Sequence, residues 1–215
     1  HALLVANTGS DTVSVVDTRS DKVVQTIATQ PYSGAKVGYE PTGVTTTKDG
    51  HILVSLGRAN ALATFTWDEK EPQEPVKYIG LLPTDYFPGE VGMAGDEVVV
   101  ITSHRLVVPG GELAEGRPWH LVDRGRWDPE TDVLTVTWVD GGPAGRWTIP
   151  EPGGVPDAFH ERVQASVVLV EEVTLDRARR ARVVLRKDLT SDRVIAQTIV
   201  GRGCDPDDPE LVAAT

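Results

Sequence analysis

The sequence predicts a mainly β protein, and three observations lead there. The apolar residues fall in short, Val-rich runs rather than long amphipathic stretches. Gly (21) and Pro (15) punctuate those runs often enough for many turns between short strands. An internal repeat covers the first half of the chain. Leu3-Leu4-Val5-Ala6 aligns with Ile52-Leu53-Val54-Ser55, an offset of 49, with Asp11 over Asn60, Val13 over Leu62 and Val16 over Phe65. Pro41-Thr42-Gly43-Val44 aligns with Pro88-Gly89-Glu90-Val91, an offset of 47, which sets Ile52-Leu53-Val54 over Val99-Val100-Ile101. This period is that of a four-stranded propeller blade.

Each unit makes sense as a blade. In Asp11–Asp17, Val13 and Val15 alternate with polar neighbours, the period of a two-faced strand. Turn-rich clusters flank it at Asn7–Asp11 and Asp17–Lys22, and Val23–Ile27 supplies the next strand. Lys48-Asp49-Gly50-His51 is a hairpin turn between Val44–Thr47 and Ile52–Val54, and Gly95-Asp96-Glu97 takes the same place one unit on. The fold class is therefore mainly β, with about two four-stranded β-propeller blades in an incomplete ring followed by a small β-rich α+β domain. The predicted organisation is blades over 1–106, a linker over 107–117 and the second domain over 118–215.

The motifs Leu4-Val5-Ala6-Asn7, Gly9-Ser10-Asp11, Val13-Ser14-Val15-Val16-Asp17, Pro41-Thr42-Gly43-Val44 and Lys48-Asp49-Gly50 occur in the order of the YVTN-type β-propeller repeat, which residues 2–103 resemble. The second unit diverges, with Ala61–Trp67 in place of the Val-Ser-Val-Ile-Asp strand and Pro72-Gln73-Glu74-Pro75 lengthening a turn. The stretch 78–101 resembles propellers of this group that are fused to, or stand beside, a phosphoesterase domain. The resemblance implies a scaffold that binds ligands through loops at one end of its blades, and an extracytoplasmic location.

After His104 the character changes. Val107–Gly111 and Glu115–Pro118 read as linker or turn, and beyond Arg105 Lys187 stands alone among twelve arginines. Asp132–Trp138 and Arg146–Ile149 flank the hairpin candidate Asp140-Gly141-Gly142. Ser166–Leu175 and Arg182–Leu189 are further strand candidates joined through Asp176–Arg180, and Asp192–Val200 is another. Pro156–Gln164 reads as a short helix, and Asp208 as the N-cap of a second one that begins at Pro209.

A formal net charge of −11 speaks against a nucleic-acid partner, which calls for a basic stripe. No apolar run approaches the ~20 residues of a membrane-spanning helix. The single Cys204 excludes an intrachain disulfide and a thiolate zinc site. The chain opens at His1 on a strand-like run, with no initiator Met and no signal peptide, and reads as a fragment of a larger protein.

Catalytic motifs are missing: no Gly-x-Ser-x-Gly elbow, phosphate loop or His-Glu-x-x-His occurs. His1, His51, His104, His120 and His160 form no close ligand pair and read as solvated residues. Asp205, Asp207, Asp208 and Glu210 offer oxygen ligands without a calcium-loop pattern, and helix capping accounts for them better. Arg177, Arg179, Arg180 and Arg182 present a phosphate or acidic-partner site on one reading. On the other they are a solvated turn neutralised by Glu171, Glu172 and Asp176. Trp119, Trp127, Trp138 and Trp147 are core or cross-strand residues, Trp138 and Trp147 facing each other across a hairpin, with an exposed carbohydrate- or protein-binding surface as the alternative.

The preferred function is a non-catalytic binding or interaction module, its partner an unknown protein or small molecule, with no cofactor, metal or catalytic residue assigned. Two alternatives stand beside it: the propeller part of a phosphoesterase-type enzyme whose catalytic domain lies elsewhere, and a chimeric or truncated reading frame. Two blades leave open edges, so self-association is expected.

Overall fold

The computed structural model describes residues 2–30, 38–176, 179–191, 193–201, 204, 205 and 207–214. Within them, antiparallel sheets follow one another along the chain, each built from consecutive strands. The first holds β1 (Ala2–Asn7), β2 (Thr12–Asp17) and β3 (Lys22–Ala28). The second holds β4 (Pro41–Thr46), β5 (His51–Leu56), β6 (Ala61–Thr66) and β7 (Tyr78–Pro83). The third holds β8 (Pro88–Ala94), β9 (Glu97–Thr102), β10 (Arg105–Val107) and β11 (Arg117–Pro118). The fourth is β12 (Val122–Asp128), β13 (Val133–Trp138) and β14 (Gly145–Thr148); the fifth is β15 (Val167–Thr174), β16 (Arg180–Lys187) and β17 (Val194–Val200). Helix α1 (Val155–Ser166) lies between the last two sheets in sequence, and α2 (Pro209–Ala214) follows them. The protein is mainly β, with propeller blades followed by β-rich structure.

The sequence repeat is a repeat of backbone geometry. Leu3 pairs with Val16 and Ala6 with Val13; 49 residues on, Ile52 pairs with Phe65 and Ser55 with Leu62. The bulge at Val15/Val16 recurs at Thr64/Phe65, and the one at Pro41/Gly43 recurs at Pro88/Glu90. Asp11 and Asn60 both take a left-handed backbone (φ 52° and 50°), as do Glu40 and Phe87 (51° and 48°) just before the two prolines. The register corrects one part of the sequence alignment. Thr46 pairs with Ile52, whereas Met93 pairs with Val98, so Ile52 lies over Val98 rather than Val99. The Gly95-Asp96 hairpin is one residue shorter than that around Gly50. Gly50 (φ 84°) and Gly95 (φ 67°) supply the positive φ that each turn requires.

The core is built between sheets. Val13, Val15 and Ile27 of the first sheet pack on Ile52, Val54, Leu56, Ala63 and Phe65 of the second. Leu62 meets Val91, Val100 and Val107 of the third. The largest cluster joins Val99, Ile101, Leu106 and Val108 to Trp119, Val122, Leu134, Val136, Trp138, Trp147, Ile149 and the α1 residues Val155 and Phe159. Phe159 lies flat enough on β12 that only Gly125 fits beneath its ring.

The second half bears out α1, both helix starts and the hairpin strands, with two corrections. Trp138 pairs with Val122 and Trp147 with Leu134, so the two indoles are not opposite one another, although both are buried. Trp138 instead stacks beneath the Arg117 guanidinium, 4.1 Å from its ring centroid. The stretch read as linker or turn contains β10's last residue and β11, strands too short to show a period. Strand β12, rich in Arg and Gly, carried no apolar alternation at all.

Candidate functional site

Side-chain hydrogen bonds stitch each sheet to the next. Asp11 Oδ1 accepts the backbone N–H groups of Tyr39 and Glu40 (both 2.9 Å), and Asn60 Oδ1 accepts that of Phe87 (2.9 Å). The Thr8 hydroxyl donates to the Pro41 carbonyl (2.8 Å) and the Thr42 hydroxyl to the Pro88 carbonyl (2.7 Å). These bonds seat the two proline-led strands β4 and β8 on the inner side of their sheets.

Glu90 projects from β8 between two glycines. A side chain at Gly43 or at Gly154 would collide with its carboxylate oxygens, each 2.6 Å from the added carbon. Burial pushes the Glu90 carboxyl up to about 7, against the lowering effect of N–H donation from Val91 and Gly154. Gly154 is the N-cap of α1, so the carboxyl also faces a helix N-terminus. Beside Gly43, the buried Ser55 hydroxyl donates to the Gly43 carbonyl (3.2 Å) and lies 2.9 Å from that of Thr42.

One residue along from these glycines on each segment lies a cleft of about 310 Å³. Its walls are Ala2, Leu3 and Leu4 of β1, Val44, Thr45 and Thr46 of β4, Trp67, and the loop Glu151-Pro152-Gly153, with Glu69 also lining it. Among the described residues its lining carries two carboxylates, Glu69 and Glu151, and no Lys, Arg or His. Among the described residues β1 pairs with β2 alone, so its other edge is open toward this cleft. Cleft, open edge and Glu90 together form the candidate site.

A second polar cluster lies where the fifth sheet docks on the fourth. Arg186, 3% exposed, donates to Ser166 Oγ (2.9 Å) and the Val122 carbonyl (2.7 Å). Gln197 donates to the His120 carbonyl (2.8 Å), and Arg182 to Asp123 (2.5 Å). His120 Nδ1 is 3.7 Å from Asp188. Burial lowers the His120 pKa, with Arg186, Arg193 and Arg105 adding to it and Asp188 opposing. Burial also raises Asp188, but hydrogen bonds from Thr190 and Ser191 outweigh it and hold that carboxyl at about 2. This cluster reads as a docking seam: Arg186 and Gln197 donate to groups of neighbouring elements, while Arg186 Nε, Gln197 Oε1 and His120 Nδ1 are buried there without a hydrogen-bond partner among the described residues.

The chemistry weighed from sequence is placed as follows. His51 lies 3.1 Å from Asp49 in its turn, His104 stacks on Tyr86 at 4.7 Å, and His160 is exposed on α1. His120 belongs to the seam rather than to solvent, a correction that the 3-10 turn at Trp119–Leu121 produces by carrying it inward. Arg179 binds Asp176 (2.8 Å), Asp208 (2.7 Å) and Glu210 (3.0 Å), which ties one arginine of the run to two carboxylates of the acidic cluster, whereas Arg182 turns to Asp123. The hydrogen bonds that its guanidinium donates to those three carboxylates raise the Arg179 pKa. Asp208 also caps α2 by accepting the Glu210 N–H (3.0 Å). Glu172 is the cross-strand partner of Arg182. Arg177, His1 and Asp192 lie outside the described residues. Trp119, Trp138 and Trp147 are core residues. Among the described residues no three His, Cys, Asp or Glu side chains gather as a metal site, and no helix is long and apolar enough to cross a membrane. Neither Glu90 nor the cleft was singled out in sequence; its one signal was Glu90 standing where the first repeat has Gly43.

No protein-family model and no curated protein sequence matches the chain. Among solved structures it is similar to a protein assigned as a 6-phosphogluconolactonase from Bacteroides uniformis, at 12% identity and a TM-score of 0.43, covering 93% of this chain and 68% of that one. It is similar also to virginiamycin B lyase from Staphylococcus aureus, at 13% identity and a TM-score of 0.40, covering 91% and 65%. The chain thus spans just under two thirds of the lyase's length.

Proposed function

We propose that this chain is a non-catalytic, propeller-type binding module, with its ligand held in the cleft between β1, β4 and the loop 151–153. The cleft carries the reading: a strand edge unpaired among the described residues and two carboxylates bound it, and no nucleophile–base pair lines it among those residues. The division into blades over 1–106 and a second domain over 118–215 is part of this proposal. So is membership of a larger protein. Ile52 and Val54 are fully buried by the first sheet, whereas their repeat counterparts Leu3 and Val5 are 53% and 38% exposed. A further blade-like sheet is the kind of surface that buries such positions.

Amide exchange of the purified protein, with and without a panel of peptides and small polar ligands, tests the binding reading. Protection confined to residues 2–7, 41–46 and 149–155 is the expected result. Metal-dependent phosphatase turnover by the full-length gene product would overturn it.

A further inference from the structure

We propose that the cleft between the second and third sheets, at their Gly50 and Gly95 hairpins, binds a small aromatic molecule that carries an N–H or O–H donor, of the indole or phenol kind. This is a site apart from the cleft beside residues 151–153, with which it shares no lining residue. It encloses about 420 Å³, with Leu53 and Thr64 on one wall and Met93 and Val98 on the other. That volume is in the range of small-ligand sites. The repeat explains the space. Between the first and second sheets, Phe65 and Trp67 join Val15 and Ile52 in one apolar cluster. Ile52 lies over Val98, so Ser55 lies over Ile101 and their partners Leu62 and Leu106 correspond. Phe65 and Trp67 therefore correspond to Pro109 and Gly111, beyond the end of β10, where the backbone turns with Gly111 N–H on the Val108 carbonyl (3.0 Å). Thr64 also stands where the first sheet has Val15, each opposite a leucine, Leu53 or Leu4. Among the described residues no Phe, Tyr or Trp lines this second cleft.

The occupant's chemistry follows from the rings the third sheet does not supply and from the rim. A flat ring takes the place left by Pro109 and Gly111, and the Met93 thioether favours aromatic contact. At the rim, His51 Nδ1 lies 3.1 Å from Asp49 Oδ1, and that oxygen also accepts the Thr47 hydroxyl. The Thr47 oxygen in turn accepts the backbone N–H of His51 (3.0 Å). These bonds direct the Nδ1 proton at Asp49 and leave Nε2 as an acceptor. A ring N–H or O–H answers that acceptor, which a plain hydrocarbon ring leaves unpaired.

Met93 is the chain's single methionine, so its isotope-labelled methyl group gives one NMR signal in the cleft. Titrating the whole chain with indole should move that signal saturably through the ring current, with a Kd on the order of 1 mM or below. N-methylindole, which lacks the donor, should bind about five-fold more weakly, the worth of one neutral hydrogen bond. His51→Ala should bring the two ligands to equal affinity, because the acceptor is gone. Thr64→Phe should fill the cleft and abolish the shift. No shift, or one that only rises linearly with indole, overturns the site. Equal binding of both indoles by the unaltered protein, or a preference that survives His51→Ala, overturns the donor and with it the proposal. A saturable shift that persists in Thr64→Phe places the ligand elsewhere and overturns it as well. The comparison of the two indoles needs no variant, so the test stands even where a substitution unfolds the chain. None of these outcomes bears on binding beside residues 151–153.

Discussion

Asp11, Asn60 and Asp132 share one job at the level of single residues. Each ends a four-residue loop at a φ near 50°, and its carbonyl accepts an N–H from just beyond the last strand of its sheet: Thr29 (3.0 Å), Thr84 (2.8 Å) and Ile149 (2.7 Å). Asn and Asp tolerate the left-handed backbone through their short polar side chains. Asn60→Ala should cost about 1 kcal/mol for the lost Phe87 bond and about 1 more for the backbone, with Asn60→Gly the milder change, as read by urea unfolding. Glu90 predicts a pH dependence. Its folded pKa, about 7, lies above the ordinary 4.5. Its contribution to stability is therefore fully present below about pH 4.5 and is lost as pH rises through 7. Glu90→Gln should flatten that slope and stabilise the protein at pH 8 by about 1 kcal/mol, a figure reduced for the solvent still reaching the carboxyl. Denaturant midpoints of both proteins at pH 5 and pH 8 decide it; equal slopes would remove Glu90 from this role.

At the scale of elements, two attachments differ in kind. The fifth sheet is held to the fourth by a buried seam in which Arg186 makes charge-assisted bonds to Ser166 and Val122. Arg186→Ala should destabilise by about 2–3 kcal/mol, since it deletes both bonds and leaves acceptors buried. Faster amide exchange should centre on β15–β17. Helix α2 is held by the exposed clamp of Arg179 with Asp208 and Glu210. Arg179→Ala should free α2 in exchange experiments yet move the unfolding midpoint little, because solvent screens ion pairs between exposed groups. High salt should mimic the substitution.

The whole molecule has two unequal ends. The first sheet's outer face shows Leu3, Val5 and Val23, and the fifth shows Val168, Leu169 and Val170 on a strand whose edge is unpaired among the described residues. Apolar sheet faces of this kind associate. Light scattering should show concentration-dependent association, reduced by Leu3→Lys with Val5→Lys; a monomer at every concentration would count against it.

Local rules made the strands, turns and caps legible. Alternation marked β2, Asp-Gly marked the hairpin at Gly50, and Asp208-Pro209 marked the start of α2, each depending on residues within a few positions of one another. The offset of 49 even carried the pairing register, because a repeated pattern of inward residues admits one alignment of strand on strand. Contacts between distant segments were decided only by tertiary structure. Burial of His120, the meeting of Arg179 with Asp208, and the closure of Gly43 and Gly154 on Glu90 bring together residues 29 to 111 positions apart. A blade's sequence determines its own three or four strands, since their bonds are local. Which edge stays open, and which carboxyl loses its water, depends on what the neighbouring sheets place against it.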